Sequence, residues 1–278
     1  MCGALDEKRY YRRMETLSYD LLALLFAVGL AGGFVDSIAG GGGLLSVPAL
    51  MATGLGPVQV LATNKAQAVF GSFTATVNYA RKGHVRLGDM KLAVTFTFAG
   101  SAAGTFLVQV LDTDLMTQVI PFLLIATAGY FLFGPRVGDL DRHHYLEQTP
   151  FYLIFGLGLG FYDGFFGPGT GSFWALAFVA VLGFNMLKAT AHTKVVNFTS
   201  NFASLLFFAL AGHVVWSYAL VMAAGQLIGA RLGSSLAMTH GTKLIRPLLV
   251  VVSLAMTTKV MWDDPDNVIH RLIVDLFS

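Results

Sequence analysis

Four consecutive glycines, Gly40 to Gly43, stand inside the apolar segment GFVDSIAGGGGLLSVPAL, and a second glycine-rich interruption, Gly167-Pro168-Gly169-Thr170-Gly171, stands inside GFYDGFFGPGTGSFWALAF. A helix does not run through such a stretch, because each glycine costs ~1 kcal/mol relative to alanine in a helix interior. Both apolar segments must therefore break at these points. The segments also superpose: Gly33, Phe34 and Asp36 fall on Gly160, Phe161 and Asp163, and Gly40 and Gly42 fall on Gly167 and Gly169. Downstream, Gly56, Ala62 and Thr63 match Gly183, Ala189 and Thr190. Gly83-His84-Val85 then matches Gly212-His213-Val214 with a small shift in register. The chain reads as one unit written twice, two internal repeats interrupted at corresponding places. In a membrane protein, paired interruptions of this kind point to a binding site.

Composition supplies the membrane. The chain is 55% hydrophobic and 12% charged, with a mean hydropathy of +0.66, against roughly 25% charged residues in a soluble domain. Several stretches approach the ~20 apolar residues that cross a bilayer. The fold class is an all-α polytopic membrane protein. The formal charge of +2 is small, so its placement matters more than its sum, and nothing suggests a nucleic-acid partner. Cys2 is the single cysteine, which excludes an internal disulfide and a cysteine metal cluster. No apolar run begins before Leu21, so the first apolar stretch reads as a retained transmembrane helix and not as a cleaved signal peptide.

The expected organisation has five parts. Residues 1–19 are polar, carry Lys8, Arg9, Arg12 and Arg13, and read as a cytoplasmic segment. The first repeat, 20–134, holds a crossing at 20–39, a half-helix at 44–54, and crossings at 57–80, 90–110 and 115–134. A polar hinge follows at 135–150. The second repeat, 151–262, runs through a crossing at 151–166, a half-helix at 172–182, and crossings at 187–211, 216–236 and 244–262. A tail closes the chain at 263–278. This gives about eight transmembrane helices plus two glycine-broken half-helices. Basic residues collect in the N-terminal segment and in RKGHVRLGDMK at 81–91, so the positive-inside rule puts both, with the hinge and the tail, on the cytoplasmic side. The two glycine runs are expected within about 15 Å of each other, near mid-membrane.

Two lysines stand about two turns inside their helices: Lys65 in ATNKAQ and Lys194 in ATAHTKVVN. A charge near mid-membrane costs at least ~2.5 kcal/mol, so it faces a cavity or a partner. Asp36 and Asp163 occur once per repeat in the preceding helix, and each is expected to hold the lysine of its own half. The glycine breaks add a second ingredient, because a helix N-terminus carries unpaired N–H groups and roughly half a positive charge. Half-helices starting after Gly43 and Gly171 would aim such ends at one volume, which Gly40, Gly41, Gly42, Gly167 and Gly169 let a ligand approach closely. Thr63, Asn64 and Gln67 in one half, and Thr190, His192, Thr193, Asn197 and Asn201 in the other, supply donors that suit an oxyanion, joined by Thr170 in the second break. The same groups can serve as interhelical glue. Lys65 and Gln67 are too close in sequence to share one helix face, so not all of them can touch a ligand. Gly29, Gly100, Gly104, Gly225 and Gly229 fall at spacings that suit close helix packing alone.

Two enzyme readings fail on their motifs, and the chain is not expected to be an enzyme. GPGTGS lacks the GK[ST] ending of a phosphate loop. Tyr162-Asp163 is similar to the YD motif of intramembrane aspartyl proteases. Their second motif, GxGD on a later helix, has as its only Gly-Asp candidate Gly88-Asp89, upstream in a basic loop. His143 and His144 lack companion ligands, so neither a metal nor a cofactor is expected.

The chain resembles the TauE/SafE transporters, the sulfite and sulfonate permeases, on GFVDSIAGGGGLLSVPAL with VLATNKAQ and on GFYDGFFGPGTGSF with KATAHTKVVN. The likeness runs from about residue 20 to 262 and covers both halves; it is closest to the YfcA-like bacterial branch. It implies an internally duplicated carrier of the bacterial plasma (inner) membrane that moves sulfur-containing anions such as sulfite or organosulfonates. The expected function is a secondary transporter, permease or exporter, of a small anion. The rivals are an anion channel and a non-transporting membrane sensor or scaffold. The partners are the anionic substrate, the lipid bilayer and possible further copies of the chain in a homo-oligomer.

Overall fold

A computed structural model describes residues 19–133 and 145–240. The N-terminal segment, most of the hinge, the crossing expected at 244–262 and the tail lie outside them. The described residues are helical with no strand. In chain order the helices are α1 (Tyr19–Ala39), α2 (Gly43–Met51), α3 (Pro57–Arg81), α4 (Lys91–Val110), α5 (Thr113–Phe133), α6 (Gln148–Phe165), α7 (Thr170–Ala180), α8 (Met186–Leu210) and α9 (Trp216–His240), with a 3₁₀ turn at Leu87–Met90. Both expected half-helices are present, α2 with 9 residues and α7 with 11. Pro57 starts α3, where its missing N–H costs nothing. Asn185 caps α8 through its side-chain oxygen, which accepts from the Lys188 N–H at 2.9 Å.

Length and apolar composition mark Tyr19–Ala39, Leu87–Val110 and Trp216–Thr239 as able to cross a bilayer. Helices α3 and α8 have 25 residues each, about 37 Å at 1.5 Å per residue. They are long enough but too polar to be marked the same way. Their polar side chains turn inward instead: Asn64, Lys65, Gln67 and Asn78 on α3, and Lys194, Asn197 and Ser204 on α8, are all buried. Large apolar side chains such as Phe106, Phe122 and Leu210 face outward, as they do when hydrocarbon is the solvent.

Helix pairing follows the small residues. α1 packs along α9 and α6 along α4. A Cβ on Gly33 would lie 2.7 Å from the Gln226 carbonyl oxygen, and one on Gly160 would lie 2.7 Å from that of Thr97. The backbones approach to a distance that only glycine permits. Gly29, Gly225 and Gly229 serve the first interface, and Gly100 and Gly104 the second, the packing role the sequence assigns them.

The directions of the helices follow from contacts at both ends. The Tyr145 N–H donates to the Val181 carbonyl at 2.8 Å, and the Phe151 and Phe178 rings lie 5.3 Å apart. α7 therefore folds back along α6, and α8 starts at the end of the bundle where α6 started. In the other half, Thr63 near the start of α3 accepts the Val215 N–H just before α9 (3.1 Å), and Asn78 near its end donates to Ser234 (2.7 Å). Tyr79, also near the end of α3, donates to the Ser37 carbonyl near the end of α1 (3.1 Å). So α1, α3 and α9 run one way.

Helices α4, α6 and α8 run the other way, with Ser101 meeting Ser200 and Ser204, Thr105 meeting Ser204, and Tyr152 meeting Met90. One expectation is corrected here. The 81–91 loop lies at the far end of the bundle from the start of α1, not at the same end. A glycine break that reverses the chain returns α2 toward the origin of α1, and α3 then crosses from there.

Candidate functional site

The two breaks meet. Gly40 (φ +79°) and Gly167 (φ +99°) hold left-handed backbone, which L side chains rarely adopt. A Cβ on Gly171 would stand 2.5 Å from the Gly40 Cα, and one on Gly43 would stand 3.0 Å from the Pro168 Cα. The breaks touch backbone to backbone, well inside the expected 15 Å.

At this junction lies a small cavity of about 30 Å³, room for two or three waters at roughly 10–15 Å³ each. Asp36, Gly40, Gly43, Asn64, Lys65, Asp163, Gly167, Gly169, Thr170, Gly171 and Asn197 line it, together with Ala68 and Asn201. Among these side chains only Ala68 is wholly apolar. The starts of α2 and α7, the polar faces of α3 and α8, and the ends of α1 and α6 all contribute.

The ion pairs cross between halves, which corrects the expectation that each aspartate holds the lysine of its own half. Lys65 Nζ donates to Asp163 Oδ1 at 2.5 Å, with both side chains almost wholly buried. Gly167 makes room for this pair, since a Cβ there would lie 2.6 Å from Lys65 Nζ. Ser200 donates to Asp163 Oδ2. On the other side, Lys194 Nζ donates to the Asp36 carbonyl and lies 3.5 Å from Asp36 Oδ2. Asp36 Oδ1 accepts the Gly42 N–H at 3.3 Å, so the N-terminus of α2 already faces a carboxylate. The reversal of each half carries its aspartate past its own α3 or α8 and onto the helix of the other half.

Eight residues expected at the site do not line the cavity. Two of them, the buried Thr190 and the half-buried His192, lie near the start of α8, where His192 Nδ1 is 2.8 Å from the Lys188 carbonyl. Gly41 and Gly42 form the turn behind it. Thr63 is engaged by Val215. Gln67 donates to Asn64 Oδ1 at 2.9 Å, where Ser46 also donates at 2.5 Å, so both orient the Asn64 amide. Thr193 is buried, and its hydroxyl has no partner among the described residues. Lys194 stands behind Asp36. Ser46, Ala68 and Ser200 were missed. Ser200 adjoins Asn201, and Asn197 and Asn201 are four apart on α8, a helical spacing that signals a shared polar face. Asn197 Oδ1 is buried without a partner among the described residues.

Two touching discontinuous helices, with buried ion pairs around a polar cavity inside an apolar bundle, define a membrane transport protein. The comparisons narrow the class. The chain belongs to the sulfite exporter TauE/SafE family, whose family model matches residues 25–260. It is 51% identical over 253 residues to "Probable membrane transporter protein YfcA" of Escherichia coli strain K12, covering 91% of this chain and 94% of the relative. It is 49% identical over 247 residues to a "Probable membrane transporter protein" of Haemophilus influenzae, covering 89% and 97%. "Probable membrane transporter protein YunE" of Bacillus subtilis is 22% identical over 268 residues. No solved structure matches the chain.

Proposed function

We propose that the chain is a secondary transporter of a small, sulfur-containing anion in the bacterial plasma membrane, and that the anion binds in the cavity where the two glycine breaks meet. The observation that carries this reading is Lys65. It is a buried cation on the cavity wall, and Asp163 is its one hydrogen-bond partner among the described residues. Its remaining N–H groups, with the amides of Asn64, Asn197 and Asn201, suit an oxyanion. The α2 and α7 starts add backbone N–H groups.

The halves are read as inverted repeats. Their contacts come in twos: α1 on α9 and α6 on α4, Lys65 with Asp163 and Lys194 with Asp36. The first helix of each half enters from opposite ends of the bundle, which suits alternating access around a fixed central site. A cytoplasmic N-terminus and a cytoplasmic 81–91 loop exclude one another in this arrangement. Charge favours the loop, because Arg81, Lys82, Arg86, Lys91 and Lys188 gather at that end, against Lys8, Arg9, Arg12 and Arg13 in the segment that leads into α1. The connections 52–56, 111–114 and 211–215 at the other end hold no Lys or Arg.

Counterflow in proteoliposomes over sulfite, thiosulfate, sulfate, sulfoacetate and taurine tests the function. Trans-stimulated exchange of at least one of the four anions, weakened by Lys65→Gln, is the expected result, with zwitterionic taurine as the net-neutral comparison. Downhill flux without trans-stimulation indicates the channel, and no flux of any of them refutes transport of this class.

A further inference from the structure

The cavity walls carry two carboxylates, Asp36 and Asp163, and one cation, Lys65, while Lys194 bonds Asp36 from behind the wall. Lys65 and Lys194 are matched by Asp163 and Asp36, so the empty site is neutral. An anion entering alone would place an uncompensated negative charge among buried groups, which is costly in a medium of low dielectric. A proton entering alone would leave Lys65 without its counter-ion, which is costly for the same reason. Entering together, they keep the site neutral.

We propose that Asp163 is the proton-binding group of an anion–proton symport, and that protonation of its carboxylate releases Lys65 to hold the anion. The proposal rests on the transport reading above and adds the coupling ion. The proton goes onto a carboxylate oxygen of Asp163, the Lys65–Asp163 ion pair opens, and the ammonium pairs with the anion. Exit reverses each step, so one proton accompanies each monovalent anion in the same direction. Because each ligand favours binding of the other, the coupling is reciprocal.

The two ion pairs are not equivalent. Lys65 and Asp163 both line the cavity. Lys194 lies behind Asp36 and also holds its backbone carbonyl, a structural clamp. The groups facing Asp163 are few. Lys65 from α3 and the Ser200 hydroxyl from α8 bond it, Asp36 from α1 shares the cavity wall, and Tyr162 precedes it on its own helix. Around these, Ser101 of α4 donates to the Ser200 carbonyl, Thr105 of α4 donates to the Gly164 carbonyl and Thr127 of α5 meets the Tyr162 hydroxyl, and α2 and α7 bring no ionisable side chain. Ser200 already donates to Asp163 Oδ2, and as a hydroxyl it can serve the protonated carboxyl as an acceptor instead.

The test uses purified full-length protein in proteoliposomes with labelled methanesulfonate, a monovalent anion with no proton to release near neutral pH. The four anions above and zwitterionic taurine are run in parallel, and membrane potential is clamped at zero. With the outside one pH unit more acidic, wild type should accumulate the anion about tenfold, the limit for one proton per anion. A trapped pH dye should report the matching acidification. Whatever counterflow Asp163→Asn retains should have lost the gradient response, and Asp163→Glu should restore that response. Gly54→Ala, in the open connection between α2 and α3, should keep both counterflow and the gradient response. If wild type exchanges an anion by counterflow but ignores the gradient, the coupling is refuted and the transport reading stands. If neither methanesulfonate nor any of the five exchanges, both fall. Should Asp163→Asn fail to fold, the wild-type gradient arm still decides.

Discussion

Replacing Lys65 by Gln tests the geometry and the function at once. Lys65 is 1% exposed and Asp163 is 3% exposed. Losing the ammonium leaves the Asp163 carboxylate with the Ser200 hydroxyl alone and no counter-charge. Breaking a buried pair by removing one partner costs about 3–5 kcal/mol, a large part of the ~5–15 kcal/mol that typically holds a protein folded. Lys65→Gln should therefore purify poorly and lose its monodisperse peak at lower temperature than wild type in detergent.

Adding Asp163→Asn removes the stranded charge and should return most of the lost stability, because Gln and Asn can hydrogen-bond across the same gap. Adding Asp36→Asn should not, since Asp36 belongs to Lys194. The comparison is heat-challenged size-exclusion of wild type and these three variants beside labelled-anion binding. The rescued double variant should still bind anion more weakly. A charge-assisted hydrogen bond is worth about 1.5–3 kcal/mol, roughly ten- to a hundredfold in affinity. Rescue of Lys65→Gln by Asp36→Asn in preference to Asp163→Asn would refute the crossed pairing. Wild-type affinity in the rescued double variant would refute the role of Lys65 at the site.

Further outcomes follow from the same geometry. In a Cys2→Ser background, Gly88→Cys and Ala211→Cys should label with an impermeant thiol reagent from opposite sides of the membrane, with Ala211→Cys reacting in intact cells and Gly88→Cys protected; labelling from the same side would overturn the helix directions. Gly167→Ala puts a methyl 2.6 Å from Lys65 Nζ on left-handed backbone and should abolish exchange. Gly54→Ala meets nothing within 4 Å and should lose only the ~1–2 kcal/mol of left-handed strain, with exchange intact. Gly160→Val, set against the Thr97 carbonyl, should overpack α4 on α6 by about 1–3 kcal/mol or more, read as a lower melting temperature that Gly158→Val, with open space around it, does not produce.

The helices and their breaks were legible in the amino-acid order alone. Glycine runs that no helix tolerates marked both breaks, the 25-residue polar-faced stretches became α3 and α8, and small residues at helical spacing marked the α1–α9 and α4–α6 seams. The lysines, the aspartates and most of the cavity lining were legible because charges inside an apolar segment are costly enough to need a reason. The pairing was not legible. Sequence shows that a helix breaks at Gly40 and Gly167, but not in which direction the chain leaves a break. That direction decides whether Asp36 faces Lys65 or Lys194, and which end of the bundle holds the 81–91 loop. Thr63, Gln67 and Lys194 carry the same chemistry as the residues that line the cavity. The packing of α9 against α3 and of α1 against α8 turned Thr63 and Lys194 toward protein partners, and Gln67 turned to Asn64 on its own helix, because a polar group buried in hydrocarbon takes the nearest partner the fold brings to it.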